Sequence, residues 1–569
     1  MTWRDNIRYT LAAFVVMMAH SALGVNHVKL EHAERLTFDQ DKLPDAQVLM
    51  DNVRFSHDGA IMTCDSAHFY QGDDSFDAFG HIRMNQGDTI RVSGEILHYD
   101  GITRHARLKG NVVMINRNTT LKTDSLDYDR NADVGYYDTG GTLFDETNTL
   151  TSMWGEYSPR TKTAKFKNNV RLVGKTAAMQ TNNLDYNTAT KIAEVHGKSI
   201  IVHDDGATVV YTEEGWYDTK NERGEITRSN KIDRKDGKHI RGNVIRYDSR
   251  TGESWALKDA LLWDDENKSS LGGSYVYYYD GTAGENDSVN AAKKATRLAP
   301  VGPAKGHGQG DYAEAYFRAV VKEYSGTDTL YLSADTIRMI QNEVDTAQRT
   351  GWAIGDVRLF RADVQGKCDS IIYHTQDSIA KMMGSPVVWS DSMQITGEWM
   401  EAQMGENKKI KELRVLGWAA GMMDDAYGKF NQVEGKKLTG YVKDNKLDYA
   451  IVDGNAESIY WAREEDGTMI GMNRGASSKL YMHIKDGQME RLVMTPNGSG
   501  TLYPEDQVPE DEDMLKHYSW KADLRPRKPE DIKPGDVMAE MEVKTSLDPE
   551  EKPVKTVAKK KRNGKGKKK

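Results

Sequence analysis

Apolar and polar residues alternate with a period of two along most of the chain. Leu97 and Tyr99, Leu126 and Tyr128, and Leu184 and Tyr186 are each two residues apart, which puts the members of a pair on one face of a β-strand. Asp127 and Asp185 lie between two such partners and point to the other face. The pattern recurs at Tyr70, Tyr99, Tyr128, Tyr157, Tyr186, Tyr217, Tyr247 and Tyr277, with spacings of 29, 29, 29, 29, 31, 30 and 30. A fixed period in this range marks a stacked repeat. After the tyrosine an acidic or amide residue opens a turn, as in Asp129-Arg130-Asn131-Ala132 and Asn187-Thr188-Ala189-Thr190,. A second strand follows and ends near Gly or Asn, as in Ala106-Arg107-Leu108-Lys109-Gly110-Asn111-Val112.

About 30 residues hold two or three strands and their turns. One such unit cannot bury its apolar face alone, so neighbours stack and each repeat touches chiefly the next. A buried tyrosine contributes on the order of 5 kcal/mol before entropy is subtracted, so a ladder of rings can hold a thin sheet together. The expected fold class is all-β, a solenoid-like stack with little helix. The mean hydropathy of -0.69, the 50 glycines and the 27 tyrosines suit an elongated β-stack better than a compact globule,.

Five regions follow in order. Residues 1–24 read as a cleavable signal peptide, with a basic start, an apolar run from Leu11 to Ala19 and small residues before Gly24,. That run is short for a bilayer span. Residues 25–280 form the first repeat domain. Residues 281–311, rich in Gly, Ala, Pro and Lys, read as a linker. Residues 312–500 return to strand texture as a second repeat domain, with Gly366-Lys367-Cys368-Asp369-Ser370-Ile371-Ile372-Tyr373 restating the anchor. Residues 501–569 read as a disordered tail, first acidic and Pro-rich, then Lys-rich. Its end from Lys552 holds ten basic residues and no acidic one, in a chain of net charge -9. Anionic lipid headgroups or phosphorylated glycolipid are the partners that suit such a tail in an exported protein; nucleic acid is not expected.

The run Leu97-His98-Tyr99-Asp100-Gly101-Ile102-Thr103-Arg104-His105-Ala106-Arg107-Leu108-Lys109-Gly110-Asn111-Val112 resembles the repeat of the OstA/LptA family of lipopolysaccharide-transport proteins. Cys368-Asp369-Ser370-Ile371-Ile372-Tyr373 with Gly384-Ser385-Pro386-Val387-Val388-Trp389 repeats the resemblance in the second block. The resemblance implies an open, V-shaped β-jellyroll whose apolar trough carries the acyl chains of lipopolysaccharide across the periplasm. The soluble bridge component is the nearest type, with an association at the outer membrane. Other bridge components, or further copies stacked through end strands, are the implied partners. Leu97, Tyr99, Leu126, Tyr128, Leu184 and Tyr186 are the expected lining of that trough.

A β-solenoid acting on polysaccharide and an adhesin-like structural solenoid are the alternatives. An enzyme of this kind needs carboxylates or basic groups converging on one cleft. Here the aspartates recur with the repeat, and the 15 histidines show no HExxH or triad spacing,. No catalytic residue, metal site or cofactor is expected. Cys64 and Cys368 are the only cysteines; their positions in different halves permit a disulfide without implying one, and exclude a cysteine-rich zinc site.

Overall fold

The computed structural model describes residues 27–532, apart from 39–40, 42, 282–309, 327, 343–344, 346, 406–408, 444–445, 465 and 486–487. The expected signal peptide, most of the expected linker and the Lys-rich end lie outside the described residues. Strands dominate what is described, and its helices are single 3₁₀ turns. The chain divides into two compact units, Met1–Ile245 with Ala256–Ser269, and Arg246–Trp255 with Ser270–Lys569. The boundary therefore precedes the one expected at 281–311. Composition marked a loop there, whereas packing divides within a run of strands whose repeat has no break.

In the first unit, strands such as Ile90–Asp100, His105–Asn116 and Thr119–Asp129 follow one another as antiparallel neighbours. Each pair slips register once, near its middle: Ser93 faces Val113, but Ile96 faces Lys109. The slip is a β-bulge at Gly110 and Asn111, with φ of +80° and +49°. A bulge bends its strand, so each strand folds into two halves. The inner face stays apolar through the bend: Ala106, Leu108, Val112 and Met114 are all buried. The halves pack against each other, and Phe55 stacks on Phe76 from the facing half with ring centroids 4.1 Å apart.

An acidic residue sits over each of several bulge glycines. A Cβ on Gly110 would come within 2.6 Å of the Glu95 carboxylate, and Asn111 Nδ2 donates to Glu95 Oε1 at 2.6 Å. The same relation holds between Asp65 and Gly80, and in the second unit between Asp335 and Gly355, Asp369 and Gly384, and Glu398 and Gly417. Only glycine fits a left-handed position beneath a carboxylate. The turn aspartates also act as the sequence implied. Asp129 Oδ1 accepts from the amides of Asn131 and Ala132 at 2.8 and 3.0 Å, and Asn187 Oδ1 accepts from those of Ala189 and Thr190 at 2.9 and 3.0 Å.

The second unit repeats the bent strands, for example Val364–His374, Met393–Met404 and Ile410–Asp424. Residues 501–532, expected as the start of a disordered tail, are ordered. Ser499–Tyr503 is a strand, and residues 504–532 form an extended strap across the outer face of this unit. The strap follows one register row, Gln365, Trp389, Gln394, Met422, Gln432, Ile459 and Arg474. Gln432 donates to the Asp513 carbonyl and accepts from the Leu515 amide, both at 2.9 Å. Gln394 does the same for Ser519 and Lys521 at 2.7 and 2.8 Å. Arg525 Nε donates to Gln365 Oε1 at 2.8 Å. Leu515 is buried against Ile459, Trp461 and Met472. The charged composition of this stretch suggested disorder; its order comes from side chains of other strands that bind its main chain.

Candidate functional site

The space between the two half-sheets of each unit is the candidate site. All six residues expected to line a trough, Leu97, Tyr99, Leu126, Tyr128, Leu184 and Tyr186, lie on the inner face of the first unit, and none is more than 1% exposed. Asp127 and Asp185 lie on the outer face, as alternation required. Asp127 accepts from Arg107 Nε at 2.7 Å, and Asp185 stands 3.8 Å from His196.

Aromatic rings fill much of the first interior: Phe55, Phe69, Phe76, Tyr99, Tyr128, Tyr137, Phe166, Tyr186 and Tyr217 are all buried. Its mouth, where the hairpin tips of the two halves meet, is laced by polar contacts that the sequence did not announce. Arg130 donates to the Tyr99 hydroxyl at 2.6 Å, to the carbonyls of His57 and Asp58 at 3.2 Å, and to Gln86 at 3.2 Å. Tyr99 also meets His57 Nδ1 at 2.7 Å, and Arg104 pairs with Asp58 at 2.5 Å. Farther along, Asn116 Nδ2 donates to the Tyr157 hydroxyl at 3.0 Å. Asn148 Nδ2 reaches the Tyr186 hydroxyl at 2.9 Å. The Tyr186 hydroxyl donates to Asp145 at 2.5 Å, and Lys191 pairs with Asp145 at 3.0 Å.

These contacts move the groups that make them. Burial pushes the Tyr99 phenol above its ordinary range, against the pull of Arg130. Burial alone would raise the Asp145 carboxyl. The Tyr186 hydroxyl, backbone amides and Lys191 together hold it below the usual carboxylate range. Burial lowers the His203 imidazole to about 4; its ring meets Tyr217 edge-on at 5.4 Å. Cys64 and Cys368 are free and buried, and burial pushes both thiols up to about 12. Such thiols are poor nucleophiles at neutral pH. Among the described residues no group of three or more His, Cys, Asp or Glu is placed to hold a metal ion.

The second interior differs. A cavity of 60 Å³ opens at its mouth between Val364, Val388, Met393 and Ile395 of one half and Ile410, Leu413, Val442 and Leu447 of the other. A neighbouring cavity of 50 Å³ shares Met393, Ile395 and Leu447, and adds Met423, Val433, Leu438, Met482, Ile484, Met489 and Leu492. Each has room for a few water-sized groups. Methionine is flexible and adapts to irregular shapes, so these walls can yield to a chain of methylenes. Arg361 and Asp363, the charged residues on this mouth, pair with each other at 2.5 Å. This slot is not legible in the sequence, because its Met, Ile and Leu positions look like any strand core until the facing half is in place.

Comparison with known proteins bears on both units. Residues 25–182 match the family model of the OstA-like protein. Residues 325–408 match that of the LptA/(LptD N-terminal domain) LPS transport protein. Among solved structures, LptH from Pseudomonas aeruginosa, described as the LptA homologous periplasmic component of the lipopolysaccharide transport device, is 13% identical. That match covers 25% of this chain and 95% of LptH, with a TM-score of 0.20. No curated protein matches the chain. Residues 25–182 and 325–408, one stretch in each unit, are thus similar to OstA/LptA-type lipopolysaccharide-transport proteins.

Proposed function

We propose that the protein is a periplasmic lipopolysaccharide-transport component that shields acyl chains between its half-sheets on the way to the outer membrane. The observation that carries this reading is the Met-lined slot of the second unit, an apolar space between its half-sheets. Burying a CH₂ group gains about 0.8 kcal/mol, so a chain of about fourteen carbons costs on the order of 10 kcal/mol to expose. A continuous apolar wall removes that cost along the path.

In the first unit Leu97, Tyr99, Leu126, Tyr128, Leu184 and Tyr186 supply the same kind of lining. There an acyl chain enters only when the lacing at the mouth parts. Other bridge components, or second copies, add to the open ladder edges. The N-terminal strands Lys29–His32 and Arg35–Phe38 carry the exposed Leu36 and Phe38, and the edge strand Ser499–Tyr503 carries the exposed Leu502. Unprotected edges of this kind accept a further strand.

The test is photo-crosslinking in cells. A photoreactive residue at Met393, Leu447 or Met482 is expected to capture lipopolysaccharide, and one at Asp127 or Asp185 is not. Capture only from the outer positions would overturn the proposal.

A further inference from the structure

In the second unit the outer half-face is covered by the strap. Among the described residues no segment covers the corresponding half-face of the first unit, and its surface has a distinct chemistry. One register row crosses ten strands: Lys122, Thr142, Thr151, Arg171, Gln180, Ile200, Tyr211, Lys231, Arg241 and Leu261. It holds four cations and no carboxylate, in a chain of net charge -9. The parallel row one step toward the tips holds Phe144, Val173, Val202, Val209 and Trp263, with a single carboxylate, Asp233. Asp233 is engaged by Lys231 at 2.8 Å and His239 at 2.6 Å.

The cations lie beside aromatic rings. Lys122 is 5.4 Å from the Phe144 ring centroid, and Arg241 is 5.3 Å from that of Trp263. Arg171 and Lys198 have no carboxylate partner among the described residues. Both line an open groove of 670 Å³ with Gln180, Asn182, Ile200, Tyr211 and one carboxylate, Glu213, which Arg228 engages at 3.5 Å. At about 4.8 Å per strand, ten strands make a platform about 45 Å long. Ile200 and Tyr211 are more than a third exposed on it, as are Phe144 and Val173.

We propose that this outer face of the first unit docks on an anionic lipid bilayer. Cations in a row attract the headgroup charge, and the exposed apolar and aromatic side chains between them enter the interface. A strap like that of the second unit does not suit this face, because it has threonine or alanine where Gln394 and Gln432 read the strap's main chain. The proposal is separate from acyl-chain carriage inside the slot and stands or falls without it.

The experiment is co-sedimentation of the full chain with vesicles of phosphatidylglycerol and phosphatidylcholine, against vesicles of phosphatidylcholine alone. The expected result is binding to the anionic vesicles that weakens as salt rises. The triple variant K122E, R171E and R241E should lower it about a hundredfold, the loss expected when three cations leave an anionic surface. Ile200→Ala with Tyr211→Ala should lower it at every salt concentration. All these side chains point outward, and circular dichroism checks that the variants stay folded. Binding by the triple variant equal to that of the unaltered chain would overturn the proposal and assign attraction to the Lys-rich end. Equal binding to both kinds of vesicle would overturn it too.

Discussion

The side-chain amide of Gln394 binds the strap at two points, and its Oε1 accepts the backbone N–H of Lys521 at 2.8 Å. With its donation to Ser519, Gln394 forms the same pair of bonds that a neighbouring strand would form. It is fully buried, so losing it leaves main-chain groups of the strap unpaired. A buried polar group left without a partner costs about 1–3 kcal/mol. Gln394→Leu is therefore expected to free the strap around 517–525. Limited proteolysis should then cut within 504–532 while the strands stay protected. Undiminished protection would show that Leu515 and the aromatic contacts hold the strap alone.

Gly384 has φ of +80° beneath the Asp369 carboxylate. Alanine there meets both a left-handed backbone, at about 1–2 kcal/mol, and a collision. Gly384→Ala is expected to destabilise the second unit by about 2–4 kcal/mol, read as a lower urea midpoint. Gly428 also has φ of +85°, but open space surrounds it, so Gly428→Ala should cost only the backbone part.

How far the sequence could be read follows from these same residues. The inner face was legible at Leu97 and Tyr99 because a period of two separates the faces and their polarity says which one is buried. The turns at Asp129 and Asn187 were legible because an Asx turn is a local matter. The strap was not, since nothing local tells a charged stretch that Gln394 and Gln432 will bind its main chain. Gln365 and Gln394, 29 residues apart, were the one available sign. The lacing was hidden in a different way. Arg130, Asp145 and Asn148 are turn residues of ordinary type, and they gain their role only when the facing tips come together.

Arg130 joins both sides of the first mouth. Arg130→Leu removes its bonds to Tyr99, Gln86 and two carbonyls, partly offset because no guanidinium need then be desolvated. The expected loss is about 1–3 kcal/mol. Amide hydrogen exchange should speed up at the tips 57–60 and 99–105, and an acyl-chain fluorophore should bind the first unit more readily. Faster exchange with no gain in probe binding would leave the lacing a purely structural device.

His203 ties stability to pH. Its folded pKa of about 4 lies below the ordinary value of 6.5, so the unfolded chain takes up a proton first as pH falls. The contribution is fully present above pH 6.5 and is lost progressively down to about 4. At about 1.4 kcal/mol per pKa unit the whole effect is about 3 kcal/mol. Urea midpoints measured from pH 7 to 4 should fall for the unaltered chain and fall less for His203→Phe, which keeps the edge contact with Tyr217 in an apolar ring. Parallel slopes would show that other groups govern the acid response.

Leu447 lines both cavities of the second unit. Replacing it with tryptophan puts two fused rings into space that an acyl chain would need, in a wall whose methionines can shift to admit them. Overpacking a tight core costs about 1–3 kcal/mol, but here existing voids absorb part of the added volume. Leu447→Trp is therefore expected to keep the unit folded, with a small change in urea midpoint, and to lower binding of a fluorescent acyl probe about tenfold. Leu126→Ala in the first unit is the contrasting variant. It removes a fully buried side chain from a filled core, at about 2–5 kcal/mol, and should reduce stability first. If Leu447→Trp binds the probe as tightly as the unaltered chain, the acyl chain does not lie in this slot.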